Sequence, residues 1–158
     1  MKKSEIAPAL NALKEIKVHK IEDKDLRNVV IDDHFTLLDA GKKTDAAVED
    51  KKKVFLEAYK DEEQSVQDLQ TKINEAASRE EQIDLAKQLR EGHKDYLDAV
   101  KVFNDEVNKL YNEDVPGLKK IDREKMMEEL KKQEIKLAWV EALYPLFVLE
   151  EEKPTNKK

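Results

Sequence analysis

The sequence predicts an all-α protein built on a long antiparallel two-helix, coiled-coil-like hairpin packed at its base against shorter N- and C-terminal helices. Three observations carry this. Apolar residues recur three, four or seven apart over two segments of about 34 residues, roughly 50 Å each as helix. Glycine and proline, 3 and 4 in 158 residues, fall outside these segments, with Gly92 the exception. Charged residues make up 42% of the chain, aromatics only 6%, and mean hydropathy is -0.81, as suits long solvated helices.

Taken in order, Pro8 follows Ser4 and Glu5 as at a helix start, with Leu10, Leu13 and Ile16 continuing at helical spacing. The stretch "KVHKI", 17–21, then alternates as a short strand would. Asp23 is the expected N-cap of the next helix, whose stripe is Leu26, Val29, Val30, Leu37 and Leu38, widened by Ile31, His34 and Phe35. Gly41 stands past its last apolar turn, where a left-handed C-cap belongs.

The first long arm runs from Thr44 to Ala77, with Val48, Phe55, Tyr59, Val66, Leu69 and Ile73 as its seam. Ser78 with Glu81 three residues later forms a capping box that opens the second arm. That arm carries Ile83, Ala86, Leu89, Tyr96, Leu97, Val100, Phe103, Val107, Leu110 and Tyr111, and ends at the "NEDVPG" punctuation, 112–117. So short a junction returns the chain antiparallel. Phe55 or Tyr59 is expected across from Val100 or Phe103, and Ile73 across from Ile83; the alternative is one uninterrupted helix through Ser78. Gly92 weakens its helix by up to ~1 kcal/mol relative to alanine and marks a bend or a close crossing.

"LKKI", 118–121, reads as extended and offers a strand partner for "KVHKI". Asp122 caps a last helix with Met126, Leu130, Leu137 and Val140 on one side, ended or kinked near Tyr144 by Pro145. Residues 1–149 are thus expected to form a single helical domain, with the hairpin at about 44–112. The segment 150–158 is expected to be a disordered polar tail.

Charge is uneven. Residues 44–114 hold 19 Asp/Glu against 11 Lys/Arg, whereas the two flanks are each about +1. An acidic middle without a basic stripe disfavours nucleic-acid binding. The longest apolar-rich run, Leu137–Leu149, carries Glu141 and is shorter than the roughly 20 residues a spanning helix needs, so no membrane insertion is expected. The start lacks a continuous apolar stretch, which argues against a signal peptide and for a cytoplasmic location. The chain has no cysteine, hence neither a disulfide framework nor a thiolate metal site.

Chemistry-bearing motifs are missing too. The positions three before His34 and His93 are Ile31 and Arg90, so the Glu-x-x-His pairs of a carboxylate-bridged bundle site fail at both. The glycines are too far apart for a phosphate-cradling loop. Ser4, Ser65 and Ser78 are the only serines, and Ser78 already caps a helix. No enzyme activity, metal or cofactor is expected.

What stands out is "WVEALYPLFVLEEE", 139–152, an apolar and aromatic cluster in a polar chain. It either covers the base of the hairpin or offers Trp139, Tyr144, Leu146 and Phe147 to a protein partner or a second copy. The elements "PALNALKEIKV", "DLRNVVIDD", "FNDEVNKLYNEDV", "LKKIDREKM" and "ALYPLF" together resemble a loose group of small helical proteins of tailed bacteriophages and prophages. That resemblance implies an accessory or assembly role through protein contact, in the host cytoplasm or the virion, and no chemistry. The alternative reading is a nucleic-acid-related regulator, either a weak binder or an acidic mimic.

Overall fold

The computed structural model describes residues 1–148; the expected tail and Leu149 lie outside them. Six helices follow one another among the described residues, with no β-strand: α1 (Ile6–Glu15), α2 (Lys24–Glu75), α3 (Arg79–Gly92), α4 (Lys94–Tyr111), α5 (Arg123–Lys131) and α6 (Leu137–Leu143). Short 3-10 turns cover Lys3–Glu5, Val18–Lys20 and Tyr144–Leu146. The protein is all-α.

Two compact units divide the chain. One comprises Met1–Asp45 with the chain from Tyr111 onward, and the other Ala46–Leu110; α2 runs from the first into the second.

The first unit contains most of the buried core. Ala9, Ala12 and Leu13 of α1 meet Val30 and Leu37 of α2, Met126 and Leu130 of α5, and Leu143 of α6. The small residues of α1 let α6 lie close along it. Ile121, Leu146 and Phe147 complete this core at 0%, 1% and 1% exposure. The N-terminus is strapped on by an antiparallel bridge between Lys2 and Asp114, with Lys3 N–H donating to the Glu113 carbonyl (2.9 Å) and Val115 N–H to that of Met1 (3.0 Å).

Gly41 does not end a helix. α2 continues through it with negative φ, and an added Cβ would lie in ordinary contact with α1, 3.4 Å from Ile6 Cγ2. It is therefore a helix-interior residue rather than a left-handed cap. Asp23 does cap α2, its Oδ1 accepting from Asp25 and Leu26 N–H at 3.0 Å each.

"KVHKI" is not a strand but the 3-10 turn and its flanks. "LKKI" is extended as expected, yet its partner is the C-terminal segment: Ile121 N–H donates to Leu146 O and Val148 N–H to Ile121 O, both 2.9 Å. Lys17 N–H is taken instead by the Gln133 side chain at 2.9 Å, and Glu22 N–H by the buried Glu129 at 3.2 Å, so side chains supply what a strand would.

The expected single last helix is two. Asp122 caps α5, accepting from Lys125 N–H at 3.1 Å, but the chain breaks after Lys131 and Glu134 takes φ 53°. That left-handed residue redirects the backbone so that α6 packs on α1. Neither glycine nor proline marks the place, which leaves the break invisible in the sequence. Pro145 acts where expected, with α6 ending at Leu143 and a 3-10 turn following.

The second unit is the hairpin. Ser78 Oγ accepts from Glu81 N–H at 3.1 Å, and Glu81 Oε2 reaches back to Ala77 N–H at 3.1 Å. α2 therefore ends before this point and α3 starts after it, which excludes a continuous helix. The Phe55 and Phe103 rings meet 5.1 Å apart, tilted by 38°, as the antiparallel register requires. Ile83 departs from expectation: it is 58% exposed and Leu85 is half-buried in its place, whereas Ala86 and Leu89 are half-buried as expected. A two-helix seam buries little, and only Val66 and Tyr96 fall in the buried class here.

Both arms are interrupted. Tyr59 (φ -128°, ψ 20°) breaks α2, and His93 (φ -120°, ψ 30°), directly after Gly92, separates α3 from α4. The two breaks are neighbours: Tyr59 and Tyr96 rings lie 5.9 Å apart, and His93 Nδ1 is 3.6 Å from Glu62 Oε2. Gly92 thus marks a bend, with open space where its Cβ would be.

Candidate protein-interaction surfaces

The four side chains singled out in the C-terminal segment do not share one surface. Leu146 and Phe147 are core residues, and a partner could reach them only if the first unit opened. Trp139 is partly buried against that core, with Lys136 Nζ 5.4 Å from its ring centroid. Tyr144 is 53% exposed. Proline placement explains the division, since the turn it starts directs Leu146 and Phe147 inward.

The larger exposed apolar surfaces lie elsewhere. The hairpin carries an open groove of about 750 Å³ on one face. Phe55, Phe103, Ala58 and Ala99 form its floor, and Val54 and Val102 stand up in it at 68% and 58% exposure. Alanines on facing helices leave the room, and the phenylalanines leave a ring edge uncovered. The rim is acidic, with Asp50, Asp95, Asp98 and Glu106 against the single base Lys51. Lys51 is engaged by Glu106 at 2.6 Å, and Asp98 sits beside Lys94 and Lys101. These lysines hold the Glu106 and Asp98 carboxyls below the usual carboxylate range, by hydrogen bond first and by charge second.

A sequence signal for this groove exists. The tripeptide Lys-Val-Phe occurs at 53–55 and again at 101–103. Each phenylalanine belongs to the seam, and each preceding valine falls one position off it. An antiparallel hairpin that pairs Phe55 with Phe103 brings both valines to the same open face.

The first unit has an apolar patch of opposite character. Leu13, Val18, Ile31 and Phe35 line it, with Ile31 38% and Phe35 61% exposed. Its remaining lining is Lys14, His19, Arg27 and His34, with no carboxylate among them. Arg27, Ile31, His34 and Phe35 follow at i, i+4, i+7 and i+8, so α2 presents them on one side. In the sequence these residues merely broaden a core stripe. α1 covers only part of that stripe, so Phe35 stays in solvent.

Among the described residues, no group of three His, Asp or Glu side chains is placed to hold a metal ion, and no helix is long and apolar enough to cross a membrane. No protein-family model, curated protein or solved structure matches the chain.

Proposed function

We propose that this protein is a non-catalytic interaction or assembly factor, acting in the cytoplasm through the exposed apolar groove of its helical hairpin. The observation that carries the reading is the pair Val54 and Val102, left in solvent above a phenylalanine floor. Large apolar side chains gathered on one open face cost solubility and gain nothing for the fold, so they point to a contact. The two arms also present a ready site for a third helix, whose apolar face would lie in the groove. The layout resemblance to phage-encoded helical proteins favours an assembly or accessory role.

The test is affinity capture from the source cell with the wild type and with a Val54→Asp, Val102→Asp double variant. Proteins held by the wild type and lost by the variant support the reading. An identical set from both overturns it, because both valines are exposed and their replacement leaves the fold intact.

A further inference from the structure

We infer that the occupant of the hairpin groove is a second copy of this chain, which inserts the Arg27–Phe35 face of α2. This rests on the interaction reading above and names its partner. The two exposed apolar patches of one molecule are complementary in charge. Four carboxylates and one lysine line the groove; Glu106 is engaged by that lysine and Asp98 by Lys94 and Lys101, which leaves Asp50 and Asp95 to carry its negative charge. Lys14, Arg27 and two histidines line the patch, which has no acid.

The shapes correspond as well. The patch presents Ile31 and Phe35 one helical turn apart from a single helix. The groove lies between two helices and lacks a third. Docking would seat Phe35 beside Phe55 and Phe103 and set Arg27 and Lys14 against the carboxylates. Pairing groove with groove would instead oppose two acidic rims, and pairing patch with patch two basic ones. Both place like charges together, which disfavours them.

Because the surfaces differ, the contact is head-to-tail. Every added copy leaves one groove and one patch free, until assembly closes on itself or runs on as a filament. The rim charges are exposed, so association weakens as salt rises.

The experiment measures mass by sedimentation of the full chain from micromolar to millimolar concentration, for wild type, Phe35→Asp and Val102→Asp. Both substituted positions are exposed, and far-ultraviolet circular dichroism verifies that each variant is folded. The wild-type mass is expected to rise with concentration and to fall back with added salt. Each variant alone should stay monomeric. Mixed in equal amounts they should form a heterodimer and stop, since one retains only the groove and the other only the patch.

A wild type that is monomeric throughout overturns the inference. The interaction reading is then decided separately by the capture experiment. Assembly lost in Val102→Asp but kept in Phe35→Asp shows grooves pairing with each other and also overturns it. So does a mixture that forms no heterodimer.

Discussion

Asp33 and Lys119 join the N-terminal part of α2 to the segment after Gly117: the Lys119 backbone N–H donates to Asp33 Oδ1 at 2.7 Å. Asp33 is fully buried, and its Oδ2 has no hydrogen-bond partner. Burial pushes its carboxyl up to about 6, against the Lys119 hydrogen bond and charge, and the Asp32 charge adds to the rise. Folded Asp33 therefore keeps its proton at a pH where the unfolded chain, near 3.8, has lost it. Its contribution to stability is fully present below 3.8 and is lost as pH rises through about 6.

That gap corresponds to about 3 kcal/mol at most. An asparagine in place of Asp33 would keep an oxygen for the Lys119 N–H without acquiring a charge. Asp33→Asn should match the wild type near pH 4 and exceed it by up to about 3 kcal/mol near neutrality. Urea denaturation of both proteins across this range measures the difference. A constant difference would show that Asp33 does not titrate there. Taking the difference is necessary because Asp23 and Asp114, held low by a backbone N–H and by Lys2 respectively, weaken the fold in the opposite direction as pH falls.

Phe147 settles what the C-terminal segment does for the fold. It is 1% exposed and lies between the two backbone bonds that hold Ile121 to Leu146 and Val148. Phe147→Ala should cost about 3–5 kcal/mol, as for a buried phenylalanine. An unchanged denaturation midpoint would place the side chain outside the core.

The periodicity of the long arms and the Ser78–Glu81 cap are legible in the sequence because both are local: a seam has a spacing, and a cap has two residues at fixed separation. At Gly41 the helix simply continues, because a glycine past an apolar turn permits a left-handed cap without requiring one. The pairing of 118–121 with 146–148 is non-local, and no local pattern contains it. Leu146 and Phe147 read as contact candidates because a run of large apolar residues looks alike whether it faces a core or solvent. Only the register of Phe55 on Phe103 shows that Val54 and Val102 face outward.

Glu134 sits at φ 53° with its side chain exposed. A left-handed conformation costs an ordinary residue roughly 1–2 kcal/mol, and glycine avoids that at an entropic cost of roughly 0.5–1 kcal/mol. Glu134→Gly should therefore raise stability by up to about 1 kcal/mol. The check is the melting temperature, and a fall would show that the glutamate side chain contributes to the α5–α6 junction.

The two units differ in how much they bury, and this should separate their unfolding. The hairpin unit has only Val66 and Tyr96 in the buried class, whereas the first unit holds the sixteen-residue core cluster. Regions with few buried apolar contacts open at lower free energy. Trp139, the only tryptophan, reports on the first unit, and far-ultraviolet circular dichroism is weighted toward the long hairpin helices. In a urea titration the dichroism should fall first and the Trp139 fluorescence later. Tyr96 is the most deeply buried aromatic residue of the hairpin, 5.8 Å from the Phe55 ring and 5.9 Å from Tyr59. Tyr96→Ala should cost about 3 kcal/mol in the early transition and leave the late one in place. Coincident transitions in the wild type, shifted together by Tyr96→Ala, would mean that the units unfold as one cooperative body.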